Sequence, residues 1–438
     1  MSDNQHTYDL DRAHVFHSWS AQGALHPLVI AGGLGTDVWD FEGNHYLDFS
    51  SQLVNVNIGH AHPKVVAAIQ EQAGVLPTIA PSTANLARGE AAARILAKAG
   101  PSFGKVFFTN GGADANENAI RMARLTTGRD KVLSTYRSYH GNTGAAVVAT
   151  GDWRRVPNEF ARGHVHFFGP FAYRSEFWSD SPEQEGERAL QHLERMIVSE
   201  GASSIAALLL EGVPGTAGVI MPPPGWYAGV RALCDRFGIL LIIDEVMSGF
   251  GRTGDWFAWQ NPEINPDGVV PDLVTFAKGV NSGYVPVGGV IISESVANNF
   301  EDQVFPGGLT YSGHPLAAAS IIASIDAMEE EGIIEHAAEI GRDVLGPGLY
   351  ALAESHPMIG EVRGIGVFWA LDLVVDRDTR EPVSGATVGE LKKQLMARGY
   401  LPFASDNRIH VVPPCTVSAE ECLRALAILD EAFTAVEG

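Results

Sequence analysis

Two segments place a charged side chain directly behind a run of aliphatic residues. In "LLIIDEV" (240–246) four aliphatic residues are followed by Asp244 and Glu245. A strand end buried on both faces is a costly place for an unpaired carboxylate, so Asp244 calls for a cation. An arginine or lysine partner would make it structural, and a cationic ligand would make it functional. Glu245 points to the other face by the two-residue period of a strand and reads as a structural contact. In "DLVTFAKGV" (272–280) a lone lysine, Lys278, ends another apolar run. Such a lysine is commonly a solvated tip. In a dry pocket, however, its pKa falls and the free amine becomes a nucleophile able to form Schiff bases.

Two further segments supply partners for such groups. "TNGGADANENAIRMA" (109–123) ends a strand at Gly111 and Gly112 and starts a helix at once with Ala113 and Asp114. Glycines let the backbone approach a ligand, and the free N–H groups of a helix start attract anions. The spacing is neither that of a P-loop nor that of a dinucleotide fingerprint, and a plain tight turn would look the same. "STYRSYHGNTG" (134–144) offers an aromatic, Tyr139, and an imidazole, His140, just past a strand. Tyr139 is placed either to lie flat on a planar heterocycle or to close over the core. Together the four segments assemble an anion cradle, an aromatic plate, a buried carboxylate and a nucleophilic amine. Pyridoxal 5'-phosphate is the ligand that needs all four.

The elements that must position these groups follow from periodicity. Strands are expected at 105–110, 131–136, 164–168, 205–212, 239–246, 272–279 and 287–293, with helical segments such as "NENAIRMARLTTG" and "WYAGVRALCDRFG" between them, both ending at glycine. This alternation predicts an α/β fold with a doubly wound, mostly parallel sheet, which binds ligands beyond the carboxyl ends of its strands. "DVWDFEGNHYLDFSS" (37–51) reads as a hairpin turning at Glu42-Gly43-Asn44. The expected organisation is a large domain over 56–315, with 1–55 and 316–438 forming a smaller α+β domain from both chain ends.

Composition narrows the function classes. At 438 residues the chain can bury a large core, and 45% hydrophobic with 19% charged residues is ordinary for a globular protein. A formal charge of −22 argues against a nucleic-acid footprint, which needs clustered cations. Cys234, Cys415 and Cys422 have no metal-ligand spacing and favour a reducing compartment over a disulfide framework. The acidic N-terminus lacks the apolar core of a secretory signal, and "ILLII" falls far short of the roughly 18 residues that span a bilayer. A cytoplasmic enzyme without membrane, nucleic-acid or metal partners is expected.

Several longer stretches carry a family resemblance: "DFSSQLVNVNIGHAHPKVVAAI", "TNGGADANENAI", "YHG", "LLLEGVPGTAGVIMPPPGWYAGVRALCDRFG", "IIDEVMSGFGRTG", "PDLVTFAKGV" and "GGLTYSGHPLAAA". Through them the chain resembles, over nearly its whole length, the class III pyridoxal-phosphate aminotransferases of the aspartate-aminotransferase-like fold (fold type I). The resemblance implies that Lys278 forms the Schiff base and acts as general base and acid, and that Asp244 pairs with the protonated ring nitrogen. It further implies that Gly111, Gly112 and Ala113 line the phosphate, that Tyr139 and Val246 cover the two ring faces with His140 alongside, and that Glu211 lies near the cofactor hydroxyl or a switchable arginine. Thr310 would reach the phosphate of a neighbouring subunit, making the protein a homodimer or a dimer of dimers with active sites at the interface.

Within the family the chain looks most like the taurine–pyruvate and β-alanine–pyruvate branch. The expected reaction is ping-pong transfer of an amino group from an ω-amino acid, a taurine-like donor or an alkyl or aryl amine to a 2-oxo acid, with pyruvate favoured over 2-oxoglutarate. Trp19 and Leu53 are the expected donor-side residues. A 2-oxo acid needs a cation for its carboxylate, preferably a bidentate guanidinium. Many relatives have an arginine three residues before the "PP" near the C-terminus, whereas this chain has His410 there and Arg408 two residues earlier, on the same face of a strand. It also has Gly212 where the family usually has proline.

A decarboxylase or aminomutase of the same fold would use the same Lys278, Asp244 and Tyr139. A non-catalytic binding protein on this fold would be expected to lose Lys278 or to carry an added DNA-binding module. A metal hydrolase built on His60 and His62 lacks a carboxylate cluster nearby in sequence, and "HAH" reads better as a loop before Pro63.

Overall fold

All seven segments read as strands hydrogen-bond into one sheet in the computed structural model, which describes residues 2–159 and 161–438. In sheet order they are Phe103–Thr109, Gly288–Ser293, Leu273–Phe276, Leu240–Asp244, Ile205–Glu211, Lys131–Thr135 and His164–Phe167. Only Gly288–Ser293 runs antiparallel to its neighbours. Six strands therefore end on one edge, and the loops with Gly111–Ala113, Tyr139, Glu211, Asp244 and Lys278 leave from it.

The central strands are apolar without alternation because helices cover both faces. Every residue of Ile205–Glu211 is buried. Leu208 and Leu210 join the core on one face, while Ala207 and Leu209 pack with the Gly112–Thr127 helix on the other. That helix stops at Gly128 and the Trp226–Phe237 helix at Gly238, both in the left-handed conformation that ends a helix without a Cβ clash.

The two chain ends meet in a second sheet, in which Tyr400–Leu401 lies parallel to His45–Asp48 beside Asp37–Trp39 and Gly32–Leu34. Asp37–Trp39 and His45–Asp48 form the expected hairpin, and Asp40 ties its turn by accepting from the backbone of Glu42 and Asn44. A third sheet pairs Ile359–Ile365, Phe368–Asp376, Arg408–Val411 and Phe403–Ser405, with Glu381–Pro382 on its edge.

The last helix, Ala419–Glu437, starts with a capping box at Ser418 and Glu421. Buried His356 fastens its far end, with Nδ1 2.7 Å from Glu437 and Nε2 3.0 Å from Asp430. Burial is the largest influence on this imidazole and pulls its pKa down, but the two carboxylates outweigh it and the net shift is upward from 6.5. A raised folded pKa adds stability that is complete below about pH 6.5 and fades as pH climbs through the raised value. The melting-temperature gap between wild type and His356→Gln is expected to be widest in mildly acidic buffer and to narrow toward about pH 9; an equal gap at both ends would show that the contact is only packing.

Candidate active site

Asp244 is buried at the end of the central strand Leu240–Asp244, and its carboxylate is held from three directions. Oδ2 accepts from Asn116 Nδ2 at 2.7 Å and lies 2.8 Å from His140 Nδ1, while Oδ1 accepts from the Val246 backbone at 3.0 Å. Asn116 in turn donates to the His140 carbonyl and accepts from the Thr275 hydroxyl, and Thr275 is the register partner of Asp244 on the next strand. Asn116 and Thr275 were missed in the sequence. Asn116 stands one helical turn after the Gly111-Gly112 pair, and that spacing was the available signal.

The anion cradle has the geometry a phosphate needs. The Gly112–Thr127 helix has no side-chain cap, so its first N–H groups are left for a ligand. A Cβ at Gly112 would lie 2.8 Å from Val246 Cγ1, so only glycine lets the helix start and the strand end close together. Gly141 does the same on the other side, because with φ +130° its Cβ would fall 2.5 Å from that of Ala113. The Tyr139-His140-Gly141 loop is thereby pressed onto the helix start.

Lys278 follows Leu273–Phe276 with φ +43°, a strained value for a residue with a Cβ. Burial lowers its pKa to about 8, against the opposing charges of Asp244 and Glu211 and with further lowering by Arg252 and Arg154. Glu211 sits opposite Asp244 in the register, accepting from the Tyr139 and Gly215 backbones at 3.0 and 2.9 Å. Its pKa is pushed up to about 7, chiefly by burial; His140 opposes the shift and the Asp244 charge adds to it. Glu245 is the structural contact expected, accepting from Ser248 and from the Ala258 and Trp259 backbones.

The substrate-side residues are less evenly gathered. Trp19 is 60% exposed and meets Tyr139 edge-on, with ring centroids 6.4 Å apart. Leu53 is exposed on the turn Ser51–Val54, all four of whose residues have positive φ. Thr310 is exposed on a loop anchored where Ser312 donates to the Phe108 carbonyl. Arg408 contacts Asp406 through Nη2, its Cδ and Nε lie against Gly218, and its Nε is buried without a hydrogen-bond partner among the described residues. His410 is fully buried with Nε2 3.0 Å from the Gly215 carbonyl, and burial holds its pKa down at about 3, so it is a neutral imidazole. Sequence reading also missed Arg154, whose Cζ lies 3.7 Å from the Tyr139 ring centroid. His60 and His62 do have carboxylate neighbours, but in two separate pairs, with Asp48 and Glu331. These partners are distant in sequence, so proximity along the chain did not show them.

The family model described as aminotransferase class III matches residues 19–433. The chain belongs to the class III aminotransferase family. It is 32% identical to the taurine–pyruvate aminotransferase of Bilophila wadsworthia, over 98% of this chain and 99% of that protein. It is 35% identical to the taurine–pyruvate aminotransferase of Rhodobacter capsulatus, over 91% and 89%. The crystal structure of taurine:2-oxoglutarate aminotransferase from Bifidobacterium kashiwanohense, in complex with pyridoxal phosphate and glutamate, superposes with a TM-score of 0.94 and 42% identity, covering 99% of this chain and 98% of that one. The architecture is that of fold type I, the enzyme is an aminotransferase, and its cofactor is pyridoxal phosphate.

The residues present in this aminotransferase fit that cofactor. An uncapped helix start offers free N–H groups that would suit a phosphate, a caged carboxylate would suit a cationic ring nitrogen, and an amine is held at the next strand end. With its pKa near 8, the free Lys278 amine gains its neutral, nucleophilic form as pH passes through that value. Cofactor uptake by stripped enzyme, followed by the growth of its visible absorbance, is expected to accelerate with pH and level off above about 8. A rate that rises only beyond about pH 10 would mean an unperturbed lysine.

Proposed function

We propose that the enzyme transfers the amino group of a taurine-like or other ω-amino acid donor to a 2-oxo acid in two half-reactions through one site. The observation that carries this is the Lys278 amine, lowered in pKa beside the Asp244, Asn116 and His140 network on the shared strand-end edge. The donor class is supported by the two taurine–pyruvate relatives and by the taurine-named structural neighbour. Pyruvate as acceptor is supported by the relatives, whereas the neighbour is named for 2-oxoglutarate.

Pyridoxal phosphate, when bound, supplies an electron sink through its protonated ring. Asp244 keeps that ring-nitrogen proton in place, and Asn116 and His140 keep the carboxylate aimed. The backbone N–H groups of Gly112 and Ala113 would hold the phosphate beside Gly111, Tyr139 and Val246 would flank the ring, and Glu211 would border the site from the adjacent strand. Lys278 would hold the cofactor, and its free amine would serve as the base and acid that moves the proton of the donor's amine-bearing carbon.

In this reading the protein works as a homodimer in which Thr310 serves the neighbouring phosphate. Exposed Val75, Leu86, Val304 and Tyr311 support an interface of that kind. Three buried, unpaired cysteines support a cytoplasmic location, and among the described residues no helix is long and apolar enough to cross a membrane.

The test is the absorbance of cofactor-loaded enzyme during single half-reactions. Taurine or β-alanine is expected to bleach the visible band, pyruvate or 2-oxoglutarate to restore it, and Lys278→Ala to do neither. Carbon dioxide release with no need for a 2-oxo acid would replace transfer by decarboxylation. Asp244→Asn keeps the size but removes the charge, and a loss of about 10²–10³ in kcat is expected, the scale of losing one preorganised electrostatic contact. A loss below about tenfold would remove Asp244 from this role.

A further inference from the structure

Asn110 and Gly111 form the one Asn-Gly dipeptide of the chain, and they join the Phe103–Thr109 strand to the helix that begins at Gly112. In such a pair the backbone nitrogen of the second residue attacks the side-chain amide of the first most readily, because no Cβ stands in the way. A fold prevents this by tying the groups up. Asn281, which precedes Ser282, shows how: its Nδ2 donates to the Val285 carbonyl and to Ser320 Oγ at 2.7 and 2.9 Å, and its Oδ1 accepts from the Gly283 backbone at 3.1 Å. Asn110 is only half-buried, and among the described residues neither its side chain nor the Gly111 N–H has a hydrogen-bond partner. The Gly111 carbonyl, by contrast, is held by Thr109 Oγ1 at 2.9 Å and by the Ala115 N–H at 3.0 Å.

Packing does not require this glycine. Gly111 has φ 175°, extended backbone that any residue adopts, and a Cβ built on it meets nothing within 4 Å. Its N–H lies at the amino end of a 16-residue helix, whose dipole favours the amide anion that makes the attack. We propose that Asn110 is a modification site of the cofactor-free enzyme. The Gly111 nitrogen bonds to Asn110 Cγ, the side-chain nitrogen takes the proton that Gly111 gives up and leaves as ammonia, and water opens the resulting succinimide to aspartate or isoaspartate. The product carries one more negative charge just ahead of the phosphate cradle, and in the iso form one more backbone carbon, so cofactor uptake falls as it accumulates. A bound phosphate protects the site, because its charge opposes an amide anion next to the N–H groups that hold it. That protection rests on the cradle at Gly112 and Ala113 given under Proposed function; the modification site itself does not.

The experiment incubates the full chain in mildly alkaline buffer with and without pyridoxal phosphate, and follows by mass spectrometry the tryptic peptide that begins after Lys105 and ends at Arg121. That peptide also carries Asn116 and Asn118, which serve as internal references. Circular dichroism taken alongside restricts the comparison to folded protein. Without cofactor, the mass gain of deamidation is expected at Asn110 at least about tenfold faster than at either reference, and cofactor is expected to slow it by about tenfold, the effect of about 1.4 kcal/mol on its barrier. Gly111→Ala, which the open space admits, is expected to slow it by a similar factor through the new Cβ. The capacity to regain the visible cofactor absorbance is expected to fall with the mass gain in wild type and to hold at its starting level in Asn110→Ser, which has no amide to lose. Equal rates at Asn110 and the two references overturn the site. Equal rates with and without cofactor, with Asn110 still modified selectively, overturn the cradle and leave the site standing. Full cofactor uptake by fully modified protein overturns the effect on uptake.

Discussion

The arrangement depends on one buried carboxylate that the protein does not neutralise with a cation of its own. Asp244 sits where desolvation is expensive, with two hydrogen-bonding side chains and a backbone N–H around it and, among the described residues, no arginine or lysine paired to it. Such a group calls for a cation to complete it, and in the proposed reading a protonated pyridine ring does so. The surrounding contacts orient the carboxylate and leave its charge for the ligand.

The parallel sheet makes this placement possible. Six strands release their loops on one edge, so groups separated by more than a hundred residues, such as Asn116 and Asp244, come within hydrogen-bond distance. The price is local strain. Lys278, Trp19 and the Ser51–Val54 turn hold positive φ angles that residues with a Cβ adopt unwillingly. Lys278, Trp19 and Leu53 among them are candidates for contact with cofactor or substrate. Strain of this kind persists only where surrounding contacts over-determine the backbone, as where Ser51 donates to the Val412 carbonyl across the two chain ends.

The substrate side is built on different principles from the cofactor side. Cofactor groups hang from strand ends and the first turn of one helix, which are rigid. Trp19, Leu53 and Arg154 come from turns and short irregular segments, where side chains can change without disturbing the sheet. Two buried carboxylates near the lysine, Glu211 and Asp244, differ in surroundings: burial leaves Glu211 titrating near 7, so its charge responds to its neighbours.

Strand positions, the mostly parallel sheet and the placement of Gly111–Gly112, Tyr139, Asp244 and Lys278 just past strand ends were legible in the chain. They depend on local periodicity and on residue types that must follow a strand, and both are written in consecutive residues. The hairpin at 37–51 was legible for the same reason. What the linear order could not show was partnership at long range. That Asn116 and Thr275 cage Asp244, that Arg408 meets Asp406, and that Arg154 stacks on Tyr139 are facts about side chains meeting across loops. Sequence alone determined which chemistry the strand ends could perform, because burial and residue type set that. Only the tertiary structure decided which side chains meet around them, because competing hydrogen bonds and charges are settled by distances that the order of residues does not contain.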